Sequence, residues 1–128
     1  MQIDEATKAF VIATINRLLT EGGLDNFAVF NFNSDYYIQI YAEANADKIY
    51  CEAVSNNFIK SSNTLSESQM NDLTSLGWSG PDNTNYSLSY DINTDADKST
   101  LAELICTTAS KVYFRSSFGQ SQLTLNLE

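Results

Sequence analysis

Residues 64–90 read TLSESQMNDLTSLGWSGPDNTNYSLSY, and the chain's one tryptophan and one proline both fall inside this run. Ser66 and Gln69 have capping-box spacing: the Ser66 hydroxyl accepts from the Gln69 amide, and the Gln69 side chain reaches back to the Ser66 amide. Leu65 before the cap and Met70 after it are placed for a hydrophobic staple. Met70, Leu73 and Leu76 follow at helical spacing, and Gly77 stands where a left-handed C-cap stops a helix. Ser79-Gly80-Pro81-Asp82-Asn83 is turn chemistry. Beyond it Tyr86, Leu88, Tyr90 and Ile92 alternate with Ser87, Ser89 and Asp91, as a strand does. The stretch reads as a device that docks a short helix and Trp78 onto a sheet.

Upstream, residues 4–20 predict a first helix, with Ile3, Phe10, Val11, Thr14, Ile15, Leu18 and Leu19 largely on one stripe. Asp4 and Glu5 suit the positive end of its dipole, and Gly22-Gly23 terminates it. Three strands follow. Ala28, Phe30 and Phe32 alternate with Phe27, Val29 and Asn31; Tyr36, Ile38, Ile40 and Ala42 alternate with Tyr37, Gln39 and Tyr41; Ile49, Cys51 and Ala53 oppose Tyr50, Glu52 and Val54. The turns Asn33-Ser34-Asp35 and Asn45-Ala46-Asp47 are too short for crossovers, so an antiparallel meander is expected. Ser55-Asn56-Asn57 then breaks the pattern, and Phe58-Ile59 forms a short apolar contact.

Downstream, Thr94 and Asp97 have capping-box spacing for a last helix, whose buried stripe is Leu101, Leu104, Ile105, Thr108 and Val112. From about residue 114 the pattern weakens. In the tail, Leu123, Leu125 and Leu127 alternate, which fits an edge strand and a frayed terminus equally. The class is therefore α+β: one domain over 1–128, an antiparallel sheet with helices on one face, in the order helix, three strands, helix, strand, helix.

Composition narrows the function. A hydrophobic share of 43% supports a packed core, and a net charge of -9, from 16 acidic against 7 basic residues, disfavours nucleic-acid binding. No stretch approaches the roughly 20 apolar residues of a membrane span. The MQIDEATK start is acidic and lacks a leader's basic n-region, so a soluble cytoplasmic protein is expected.

The search for chemistry yields little. Histidine is absent, which removes the commonest general base and metal ligand and rules out Cys-His and Ser-His-Asp arrangements. Cys51 and Cys106 match no metal spacing or disulfide framework and read as small buried hydrophobes. Asp91, Asp95 and Asp97 have oxygens at alternating positions, yet the glycine turn and terminal glutamate of a calcium loop are missing, so they read as helix-capping acids. No glycine-rich phosphate loop exists. Neither an enzyme nor a cofactor or metal is expected.

One surface stands out. If Tyr36, Ile38 and Ile40 face the helices, Tyr37 and Tyr41 face outward, where Phe27, Val29, Tyr50 and Val54 join them. Tyrosine is favoured at interfaces for its large rigid area and polar tip, although ordinary cross-strand pairs give the same pattern. Phe27, Val29, Tyr37, Tyr41 and Tyr50 are the candidate partner-binding residues.

The run Leu65-Ser66-x-x-Gln69-x-x-x-Leu73-x-x-Leu76-Gly77-Trp78-x-x-Pro81 resembles the TY-Chap family, grouped with bacterial YbjN-like proteins and type III secretion chaperones. Asn85 before an aromatic strand, and Leu101-Ala102-x-x-Leu104-Ile105 through Val112-Tyr113, resemble the family's second half; together the resemblance covers about 25–113. Phe114-Arg115-Ser116 departs from it, since a glycine commonly ends that helix. The resemblance implies a secretion-chaperone-like fold and binding of a polypeptide segment, with no catalytic residues to carry over. The expected partner is a protein or peptide, with homodimerisation open and no nucleic acid or membrane. An acidic immunity or antitoxin protein that neutralises a basic toxin is the alternative, and a small enzyme or a purely structural part of a larger assembly are the remaining ones.

Overall fold

The computed structural model describes residues 3–128, and the helix starting beside Ser66 shows how local chemistry sets its elements. In α2 (Glu67–Ser75) the Ser66 hydroxyl accepts from the Gln69 amide at 3.1 Å, and Gln69 Oε1 accepts from the Ser66 amide at 2.8 Å. The helix closes in a Schellman turn: the Gly77 amide donates to the Thr74 carbonyl and the Trp78 amide to the Leu73 carbonyl, both at 3.1 Å. Gly77 has φ 104° there, a conformation that costs a residue without Cβ little. Gln69 also donates from Nε2 to the Val112 carbonyl at 2.7 Å, which ties α2 to the end of α3 (Asp95–Lys111).

α1 (Glu5–Thr20) begins at Asp4, whose carboxylate accepts from the Thr7 amide at 3.1 Å and also from the Thr7 hydroxyl. Its far end is fastened by Asn26, which is almost fully buried. Asn26 Nδ2 donates to the Leu18 and Glu21 carbonyls, each at 2.8 Å, and its Oδ1 accepts from the Gly23 amide at 3.1 Å. One side chain thus satisfies carbonyls that a helix end leaves open. α3 is capped as its sequence suggests: Thr94 Oγ1 accepts from the Asp97 amide at 3.2 Å, and Asp97 Oδ2 accepts from the Thr94 amide at 3.1 Å and the Asn93 amide at 2.8 Å. These bonds, the one from the Asn93 amide foremost, hold the Asp97 carboxyl below its ordinary range.

The five strands are β1 (Asn26–Asn31), β2 (Tyr37–Ala42), β3 (Lys48–Ala53), β4 (Tyr86–Asp91) and β5 (Leu123–Asn126), in the order β4-β3-β2-β1-β5. Every neighbouring pair is antiparallel. The meander formed by β1, β2 and β3 is the expected one. Ala28, Phe30, Ile38, Ile40, Ile49, Cys51 and Ala53 are buried on the inner face, with Val11, Ile15 and Leu18 of α1 and Leu101, Ala102 and Ile105 of α3 in the same core. Trp78 is buried, and its Nε1 donates to Thr108 Oγ1 of α3 at 3.0 Å. Directly after it, Ser79 and Ser87 exchange two backbone bonds of 2.9 Å, which lays the chain along the outer edge of β4. The helix and Trp78 expected to dock onto the sheet are fastened to α3 and its end, and the chain meets the sheet at the Ser79–Ser87 bridge.

Two expectations are refined. The tail forms β5 on the free edge of β1, with Phe27 opposite Asn126 and Phe30 opposite Leu123. Phe118 anchors its approach, packing against Phe32 at 5.1 Å and Phe30 at 5.4 Å between ring centroids. Val54 does not join the outer face: Ala53, Val54 and Ser55 are all buried, because the alternation ends with β3 and the chain turns into a short 3-10 turn at Asn56–Phe58. The end of α3 also departs from common chemistry, since Phe114 takes φ 57°, the left-handed region that glycine enters more easily.

Candidate functional site: the open face of the sheet

The outer face follows from the same alternation that builds the core. On β1 and β2 the residues between the buried ones are Phe27, Val29, Asn31, Tyr37, Gln39 and Tyr41, all half-buried. The register sets Phe27 opposite Tyr41, Tyr41 opposite Tyr50, and Tyr50 opposite Ser89. Ring centroids lie 6.1 Å apart for Phe27–Tyr41 and 6.0 Å for Tyr41–Tyr50. One continuous aromatic row therefore crosses three strands. Tyr50 is 42% exposed at its end.

The five residues expected from the sequence all lie on this face, but they do not form one patch. Phe27, Tyr41 and Tyr50 make the row, and Val29 stands in the next row beside Gln39. Tyr37 belongs to a polar corner instead. Asn85 Nδ2 donates to the Tyr37 hydroxyl at 3.0 Å and to Glu52 Oε1 at 3.2 Å, and Gln39 Nε2 donates to the same Glu52 oxygen at 3.3 Å. Asn85 is held in turn by the Ser55 amide, which donates to its Oδ1 at 3.0 Å. Burial, with smaller contributions from Glu52, Tyr37 and Tyr50, raises the Tyr41 phenol above its ordinary value, so it stays a neutral donor and acceptor around neutral pH.

At the other end the aromatic row opens into a cavity of ≈ 430 Å³, which sequence reasoning missed. Leu24, Phe27 and Tyr41 supply apolar lining, and Asp25, Glu43 and Asn126 stand among the polar lining residues. Leu24 is 74% exposed. The signal available was a lone leucine between a glycine pair and Asp25-Asn26, but only the pairing of β5 with β1 completes the hollow.

The remaining reactive groups lie elsewhere. Burial pushes the Cys51 thiol up to about 12 and Cys106 up to about 11, the opposite of an activated nucleophile. Asp91 pairs with Lys48 and Asp95 with Lys98, each at 3.4 Å. Among the described residues no cluster of three or more cysteine or carboxylate side chains is placed to hold a metal, and no helix is long and apolar enough to cross a membrane. An aromatic row beside a polar corner and a hollow offers contact area and hydrogen bonds, the chemistry of recognition.

The family described as TY-Chap3, T3SS (YopN, CesT) and YbjN peptide-binding chaperone 3, matches residues 18–115. No curated protein and no solved structure matches the chain. The matched span holds β1 to β4, α2 and α3, slightly more than the 25–113 carried by the residues of the Trp78 region and the last helix. The chain belongs to this family of peptide-binding chaperones.

Proposed function

We propose that this chain is a non-enzymatic peptide-binding module that holds a segment of a client polypeptide across the open face of its sheet. Phe27, Val29, Tyr37, Tyr41 and Tyr50 are the contact residues. The observation that carries the reading is the uncovered Phe27–Tyr41–Tyr50 row, half-buried to exposed in a member of a peptide-binding family. Tyrosine and phenylalanine lose only two side-chain torsions on binding, so a row of them offers area at low entropic cost. Tyr37, fixed by Asn85, and the neutral Tyr41 phenol add hydrogen-bonding groups that set the register of a bound chain. Absent histidine and two thiols with raised pKa values support a role without catalysis. Two free cysteines also suit the reducing cytoplasm, where we place the protein.

The test is capture from the native cell with the intact chain and with a Phe27→Ser/Tyr41→Ser variant, each checked for folding by circular dichroism. Clients recovered by the native chain and lost by the folded variant are the expected result. A variant that captures the same proteins in the same amounts overturns the assignment of the face.

A further inference from the structure

We propose that the hollow beside Phe27 and Tyr41 seats a cationic side chain of the bound segment, an arginine or lysine next to apolar residues, and that Asp25, Glu43 and Glu128 select for it. The inference rests on the peptide-binding reading above and gives it a partner chemistry. Three observations converge. The cavity of ≈ 430 Å³ is lined by Leu24, Phe27 and Tyr41 together with the acidic residues Asp25, Glu43 and Glu128, and no lysine or arginine lines it. Among the described residues the ion pairs are Lys8–Glu103, Arg17–Glu21, Lys48–Asp91, Lys98–Asp95 and Lys111–Asp72. Asp25, Glu43 and Glu128 belong to none of them. The hollow is also continuous with the aromatic row through Phe27 and Tyr41, so a chain lying along the row runs into it.

The chemistry follows from the lining. An aliphatic stem of arginine or lysine packs against Leu24 and the ring faces, and its charged head meets the carboxylates at the rim. Aromatic faces beneath a cation add a cation–π term. A neutral or acidic side chain in the same place would gain the apolar contact but meet three carboxylates that have no basic partner among the described residues, which provides discrimination as well as affinity. With a net charge of -9 on the whole chain, the same signs also steer a basic segment toward the face at low salt.

The experiment uses the intact chain and three fluorescein-labelled synthetic peptides of one leucine, phenylalanine and serine framework, carrying two arginines, two glutamines or two glutamates. Fluorescence anisotropy reads their affinities. The arginine peptide is expected to bind about tenfold more tightly than the glutamine peptide, with the glutamate peptide weakest. Added salt narrows the gap. In an Asp25→Asn/Glu43→Gln/Glu128→Gln triple variant with an unchanged thermal midpoint, the arginine and glutamine peptides bind alike. Tyr41→Ser weakens all three. Equal affinities for arginine and glutamine peptides on the native chain, both lost in Tyr41→Ser, would overturn the cation seat and leave the face reading standing. Binding by none of the peptides, or binding that Tyr41→Ser leaves untouched, overturns both.

Discussion

The two faces of β1 and β2 are built from alternate residues of the same strands, yet one is buried under the helices and the other is left open. Phe30, Ile38 and Ile40 point inward and are fully buried, whereas Phe27 and Tyr41, their neighbours along the same strands, remain half-buried with no helix over them. Phe30 meets Phe10 and Phe118 in an edge-on and tilted cluster, and Phe27 meets only the outward-facing row through Tyr41 among the aromatic pairs of the described residues. Hydrophobicity alone does not separate a Phe30 from a Phe27. Which side the helices cover does, and that is fixed by where α1 and α3 carry their apolar stripes. An aromatic residue therefore serves the core on one face and, on the proposed reading, a partner on the other.

The largest expected effects lie on the covered side. Phe30→Ala should cost about 3–5 kcal/mol, since it opens a cavity in a close-packed core, and denaturant unfolding would read it. A loss below about 1 kcal/mol would mean that Phe30 is less tightly packed than its complete burial indicates. Trp78→Phe comes next, at about 2 kcal/mol, because it removes some buried area and the indole donor to Thr108 Oγ1. The Thr108 hydroxyl keeps its own donation to the Leu104 carbonyl at 2.7 Å, so adding Thr108→Val to Trp78→Phe should recover none of the loss.

How much of this division was legible follows from the physics each part uses. The stretch from Ser66 to Trp78 was readable because its capping box, Schellman glycine and helical spacing are local, and the structure contains each of them. The inner and outer residues of β1 and β2 were readable because a strand's period of two is local as well. Val54 was misassigned to the outer face, since the break is marked at Ser55-Asn56-Asn57 and nothing shows that the alternation ends one residue earlier, with β3 at Ala53. The tail was ambiguous for a different reason. Leu123 and Leu125 become a strand through pairing with Phe30 and Ala28, nearly the whole chain away, and Phe118 stands alone among serine, glycine and glutamine until the fold brings it to Phe30 and Phe32. The hollow at Leu24 depends on the same long-range pairing, so the lone leucine after the glycine pair was too local a signal to reveal it.

A third kind of aromatic sharpens the contrast between the faces. Phe114 is 72% exposed, yet it lies outside the row and holds a left-handed backbone angle that suits glycine. Phe114→Gly should raise stability by about 1 kcal/mol, as strain at the end of α3 is relieved, and thermal unfolding would register it. Peptide binding should not change. Lost binding in this variant would extend the recognition surface to the end of α3 and weaken the claim that the sheet face acts by itself.

The smallest expected change in stability belongs to Tyr50→Ser. Tyr50 is 42% exposed at the end of the row, and its contact with Tyr41 is a cross-strand pair of the kind worth about 0.2–1 kcal/mol. Its removal should therefore shift unfolding by about 0.5 kcal/mol, near the middle of that range. Binding is where the difference should appear, because an exposed aromatic at one end of a recognition row contributes through contact with the partner rather than with its own core. The informative quantity is the ratio of the two effects. Phe30→Ala should impair binding only as far as it unfolds the chain, so refolding conditions that restore structure restore binding with it. Tyr50→Ser should impair binding in a chain that is as folded as before. Should Tyr50→Ser instead destabilise the chain as Phe30→Ala does and leave the affinity of the folded fraction intact, the outer row would be a second packing surface, and the distinction between the two faces would be one of degree.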